Sequence, residues 1–157
     1  MKVTYSDLKN KRVFISGGGS GIGATIVEYF CEQKSEVYFI DIDIKSSNKL
    51  IKNIKKKGFR VPKFIECNIL DIKKLQNIIK DIISKKGAIH CLINSAANDD
   101  RHTTEQVDEK YWENRMGINL KHYFFAAQAV VKGMKKIKSG SIVNLSSVSW
   151  MLGEGDK

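Results

Sequence analysis

Five short apolar runs, at residues 12–16, 37–40, 64–67, 89–94 and 141–145, recur along the chain with few polar residues inside them. A strand with one wet face alternates apolar and polar residues, so near-continuous runs read as strands covered on both faces, the habit of a parallel sheet. The stretches between them carry the helical period instead. Leu75, Ile78, Ile79, Ile82 and Ile83 recur at i, i+3, i+4, i+7 and i+8, with Lys73, Lys74, Lys80, Lys85 and Lys86 largely off that stripe. Asp71 is placed to cap this helix and Gly87 to stop it. Ile22, Ile26, Val27 and Phe30 build a first helix, and Leu50, Ile51 and Ile54 a second. A long fourth helix, roughly 108–138, carries Trp112, Met116, Leu120, Tyr123, Phe124, Ala127, Val131 and Met134, and its aromatics read as core or subunit interface. Parallel neighbours need crossover connections, and right-handed crossovers cover both faces of the sheet. The chain therefore reads as α/β, a doubly wound, Rossmann-like parallel sheet of about five strands in a single domain over residues 1–157. Ligands of such sheets sit beyond the carboxyl ends of the strands.

Composition agrees with a packed fold and removes several functions. With 42% hydrophobic residues, 9% aromatic and one proline, the chain can bury a core, and disorder is excluded. No apolar run approaches the roughly eighteen residues of a membrane span, and residues 1–12 hold no signal-peptide core, so a soluble, cytoplasmic protein with no membrane partner is expected. The net charge of +10 raises the question of a nucleic-acid partner. Of the 27 basic residues 23 are lysine and four arginine; base-edge readout favours arginine, whereas dispersed lysines solvate helix faces, so no nucleic acid is expected. Cys31, Cys67 and Cys91 form no CxxC pair and read as small buried apolar residues, with no metal site and no redox role.

The chemistry gathers where the first run ends. Ser16-Gly17-Gly18-Gly19-Ser20-Gly21-Ile22-Gly23 leads directly into the first helix. A helix start exposes unpaired N–H groups and the positive end of its dipole, so a pyrophosphate is stabilised there if no side chain blocks it. Glycines remove that block, and the strand before and helix after supply the context of a dinucleotide site. Two registers fit: Gly19-Ser20-Gly21-Ile22-Gly23-Ala24 satisfies GxGxxA, while Gly17, Gly21 and Gly23 satisfy GxxxGxG. The first strand ends at Ser16, which makes Gly17 the first residue of the turn and favours the second register. Gly17, Ser20, Gly21, Ile22 and Gly23 are then the expected cofactor contacts of the turn.

The second strand ends at Asp41, 18 residues past Gly23 and close to the roughly twenty expected of a ribose-binding acid. A carboxylate there accepts hydrogen bonds from both ribose hydroxyls and repels a 2′-phosphate. Gly18 and Ile42 offer no basic side chain to that phosphate, so NAD is expected over NADP. Asp43 reads as an exposed loop acid, and Asn68, just beyond the third strand, as an acceptor for the adenine amino group.

Taken in order, these residues resemble the short-chain dehydrogenases/reductases. The glycine turn is similar to that family's TGxxxGIG with Ser16 in place of threonine, Asp41 to its NAD-selecting acid, and Asn68-Ile69 stands where the family commonly has Asp-Val. Asn94-Ser95-Ala96-Ala97 resembles its NNAG segment, departing at Ser95 and Ala97, which implies that Asn94 and Ala96 line the cofactor. Asn119 matches the helix asparagine that supports a proton-relay water, and residues 141–147 resemble the fifth strand with its catalytic serine, which falls at Ser147. Finer similarity, at Ala97-Asn98-Asp99-Asp100-Arg101-His102, Phe124-Phe125-Ala126-Ala127-Gln128 and Ser149-Trp150-Met151-Leu152-Gly153, is to the sugar 1-dehydrogenase branch. It implies oxidation of an aldose such as galactose or arabinose at C1 to a lactone, with a 3-oxoacyl or other carbonyl reductase as the alternative. A homo-oligomer is implied by the same analogy.

In the family's mechanism a tyrosine base, its pKa lowered by a lysine four residues later, removes the hydroxyl proton while hydride passes to the nicotinamide. The serine stabilises the developing oxyanion. No such Tyr-x-x-x-Lys pair follows Ser147, which stands ten residues before Lys157. Tyr5 and Lys9 have the spacing but precede the first strand and read as coincidence. The expectation is a chain cut short, with the C-terminal part of the sheet missing and the outer edge of the fifth strand unpaired. A non-catalytic dinucleotide-binding fragment is the competing expectation.

Overall fold

The computed structural model describes residues 3–148 and Met151. β1 (Arg12–Ser16), β2 (Glu36–Asp41), β3 (Lys63–Glu66), β4 (Cys91–Asn94) and β5 (Ser141–Asn144) form one parallel sheet in the order β3-β2-β1-β4-β5. The chain steps outward from β1 to β3 and then returns to the far side of β1 as β4, so the order reverses between β1 and β4. At that reversal the connections leave on opposite faces and open a cleft beyond the carboxyl ends. Ser16 ends β1 there, in register with Ile40 of β2 and Asn94 of β4.

Alternation along each strand divides the core in two. Val13, Ile15, Val37, Phe39 and Ile93 face Val27 and Cys31 of α1 (Gly21–Glu32) and Leu50 and Ile54 of α2 (Ile44–Lys56). Phe14, Tyr38, Ile40 and Leu92 face Leu75, Ile79 and Ile82 of α3 (Ile72–Lys86), with Ala126, Val130 and Met134 of a later helix, α5 (His122–Lys136). Both faces of the central strands are thus covered, as the unbroken apolar runs require. β5 departs from that expectation and is exposed at all four positions; among the described residues β4 is its one strand partner.

Helix ends follow local chemistry. The Asp71 side chain accepts from the Lys74 N–H at 2.9 Å, and Gly87, at φ 89°, takes the left-handed turn that ends α3. The single helix expected over 108–138 is instead three segments: α4 (Glu109–Met116), a π-helical turn (Gly117–Lys121) and α5. A wider turn shifts the side chains that follow relative to a straight α-helix. Tyr123 and Met134 are buried as expected, but Trp112, Met116, Leu120, Phe124 and Val131 are exposed. No described helix is long and apolar enough to cross a membrane. Ser149, Trp150, Leu152 and Gly153 of the Ser149–Gly153 stretch lie outside the described residues.

Candidate functional site

The start of α1 is built unlike those of its neighbours. Asp43, Asp71 and Asp108 cap α2, α3 and α4 by accepting from the backbone N–H groups of Ser46, Lys74 and Tyr111. Ser20 holds the N-cap position of α1 in extended conformation, yet its side chain makes no capping hydrogen bond. Among the described residues the first amides of α1 therefore have no side-chain cap. Gly21, at φ 53°, needs the left-handed region, and a Cβ built there meets nothing within 4 Å, so the helix start opens on free space. At Gly23 a Cβ would collide with the Gly17 carbonyl, and only glycine lets the helix close on its own turn. Gly17 and Gly18 donate to the Ile40 carbonyl at 2.9 and 3.1 Å, tying the turn to β2.

Asp41, half-buried at the end of β2, meets this turn directly. Its Oδ2 accepts from the Gly19 N–H at 2.8 Å and its Oδ1 from the Asp43 N–H at 2.9 Å. Each carboxylate oxygen keeps a second lone pair. Asp43, expected as a plain loop acid, instead caps α2, and its hydrogen bonds to Ser46 hold its carboxyl below the usual carboxylate range. Asn68 is exposed and its Oδ1 accepts from the Leu70 N–H at 3.0 Å, again with one lone pair left. Ile69 is half-buried and packs against the core cluster that holds Cys67, Leu75 and Ala126.

Across the cleft, Asn94 is wholly buried; its Nδ2 donates to Asn144 Oδ1 at 2.8 Å and to the Tyr123 carbonyl at 3.4 Å, while its Oδ1 has no partner among the described residues. Ala96 packs against the turn so closely that a Cβ on Gly17 would lie 2.6 Å from its Cα. The Ser16 hydroxyl accepts from the Ser95 and Ala96 N–H groups at 3.2 and 3.3 Å. Asn119, inside the π turn, clamps the backbone of Asn98 from both sides: Oδ1 accepts at 2.8 Å and Nδ2 donates at 3.1 Å. One lone pair and one N–H of that amide remain for a water. Ser147 is exposed, three residues past the end of β5. The loop beyond β4 is polar: Tyr111 Oη meets His102 Nδ1 at 2.8 Å and Arg115 reaches Asp100 at 3.5 Å.

His122 escaped sequence reading. It is wholly buried, with Nε2 3.4 Å from Ser16 Oγ, and burial pushes its imidazole down to about 4, partly offset by the Ile118 and Gly117 carbonyls. Its signal was a histidine four residues from Ile118 and four from Ala126, within an apolar helical stripe. Tyr5, by contrast, stands where the Gln33 side chain accepts from its N–H, at the end of α1 and away from the carboxyl ends of the strands. Burial also raises the Cys31 thiol to about 12.

A dinucleotide fits this arrangement by its chemistry: free helix amides for a diphosphate, a carboxylate at the end of β2 for a ribose, and the unpartnered Asn94 oxygen across the strand reversal. The chain belongs to the short chain dehydrogenase family, whose model matches residues 11–154. It is 37% identical over 148 residues to a probable galactose dehydrogenase of Rhizobium meliloti, covering 94% of this chain and 58% of that protein. It is 39% identical over 153 residues to D-xylose 1-dehydrogenase of Caulobacter vibrioides, covering 97% and 59%. The chain thus spans somewhat under two thirds of the length of these relatives. Among solved structures, a gluconate 5-dehydrogenase of Burkholderia cenocepacia in complex with NADP and tartrate superposes with a TM-score of 0.81 at 25% identity, over 94% of this chain and 57% of that one.

Proposed function

We propose that this chain is the cofactor-binding part of an NAD-dependent oxidoreductase that oxidises an aldose at C1 to a lactone. The uncapped, glycine-lined start of α1 beside Asp41 carries that reading. In it the amides of Ser20, Gly21, Ile22 and Gly23 receive the diphosphate where Gly17 opens the turn, Asp41 takes the ribose hydroxyls and Asn68 the adenine amino group, with Ile69 below it. Asn94 and Ala96 line the nicotinamide half, Ser147 donates to the developing oxyanion, and Asn119 holds the relay water. The bound nicotinamide supplies the hydride acceptor.

Asp41 is the support for NAD over NADP, because a 2′-phosphate would meet a carboxylate with Gly18 and Ile42 as its neighbours. The sugar reading rests on likeness to the two sugar dehydrogenases and on the polar loop at Asn98 to His102. A homo-oligomer is supported by Trp112, Met116, Leu120 and Phe124, which lie exposed at four-residue spacing. The experiment is NADH and NADPH titration of the intact natural protein, followed by NAD reduction with aldoses and NADH oxidation with 3-oxoacyl thioesters. Tight NADH binding with aldose turnover is expected; thioester turnover without aldose turnover would refute the substrate.

A further inference from the structure

We infer that His122 is a positioning residue of the dinucleotide cleft, acting through Ser16 to set the Ser95-Ala96 backbone against the glycine turn. The inference rests on the dinucleotide reading above and adds a residue to it. His122 opens α5 directly after the π turn and sends its ring into the core, where the Ser16 hydroxyl lies 3.4 Å from Nε2. A hydroxyl offers one hydrogen and two lone pairs. Ser16 Oγ already accepts from the Ser95 and Ala96 N–H groups, so its own hydrogen is left for His122 Nε2. Nε2 must then be unprotonated, which puts the ring proton on Nδ1.

The chain of contacts ends at the turn. Ala96 Cα stands 2.6 Å from where a Gly17 Cβ would be, so there is no slack between them, and a shift of the Ala96 backbone moves one wall of the cleft. The ring itself is held edge-on to Tyr123, with centroids 4.5 Å apart. Tyr123 in turn accepts from Asn94 Nδ2 through its carbonyl and donates its hydroxyl to the Leu145 carbonyl at 3.0 Å. Two adjacent residues of one helix thereby hold the carboxyl ends of β1 and β4 and the exit of β5. His122 touches neither cofactor nor substrate in this scheme; its effect reaches them through Ser16.

The test is NADH affinity of the intact natural protein and two variants. A glutamine amide reaches about as far as Nε2, and an asparagine amide only about as far as Nδ1. His122→Gln is expected to keep Kd within about twofold, whereas His122→Asn raises it about tenfold, the loss of one hydrogen bond at a fixed site. Ser16→Ala removes the Ser95 and Ala96 contacts as well and is expected to raise Kd at least as far, and adding His122→Asn to Ser16→Ala is expected to change Kd by less than about twofold, because no hydroxyl is then left for the histidine to hold. Equal Kd for wild type and both variants, even with lowered melting temperatures, would overturn the inference, as would additive effects of Ser16→Ala. Imidazole ¹⁵N shifts of the wild type supply a readout that no folding defect can obscure: an Nδ1–H tautomer supports the link, and an Nε2–H tautomer overturns it. Wild type that binds no NADH sinks the dinucleotide reading and this inference together, while wild-type binding with indifferent variants sinks the inference alone.

Discussion

The starts of α1 and α3 face the same carboxyl end of one sheet and are finished in opposite ways. At α3 the Asp71 carboxylate accepts from the Lys74 N–H, and the helix satisfies its own first turn. At α1 no side chain caps, Gly21 opens on space, and Gly23 lets the turn fold back against the helix. A cap is worth about 1 kcal/mol, so leaving it out costs α1 stability that α2, α3 and α4 each obtain from an aspartate. The difference separates a helix start that serves only the fold from one left open to an anion.

The largest expected break in that comparison is Gly23→Val. Its Cβ would strike the Gly17 carbonyl, so NADH binding should vanish in calorimetry and stability should fall by about 3 kcal/mol or more in urea melts. Acid should act on the same side of the molecule. His122 titrates near 6.5 when unfolded and is pushed to about 4 by burial, so its contribution is complete above pH 6.5 and is lost as pH falls toward 4. Wild type should lose about 2 kcal/mol relative to His122→Gln between urea melts at pH 7 and pH 4.5. Asp41→Ala should weaken NAD about tenfold and narrow its preference over NADP, measured as the ratio of the two Kd values. The smallest effects sharpen the comparison most. Asp71→Ala should cost about 1 kcal/mol in a thermal melt and leave NADH affinity unchanged, whereas Ser20→Ala should leave the melt within about 0.5 kcal/mol.

The central sheet was legible because residues 12–16, 37–40 and 89–94 are apolar on both faces, and only burial between two helical layers explains that pattern. β5 has the same composition but is exposed, since composition records what a strand can bury and not which described element covers it. The caps at Asp71 and Gly87 were legible as local chemistry. The π turn was not, because one wider turn leaves the apolar content of residues 117–121 unchanged while redirecting the side chains beyond it, Phe124 among them. Asp41 could be placed from strand length and spacing alone. His122 could not, since its meaning lies in Ser16, 106 residues earlier in the chain.

Amide shift mapping of the ¹⁵N-labelled intact protein during NADH titration tests most directly whether the diphosphate rests on the open start of α1. Saturable shifts at Gly18 through Gly23, with Ile72 through Lys74 unmoved, are the predicted result. A glycine turn that stays silent while NADH saturates elsewhere would contradict it.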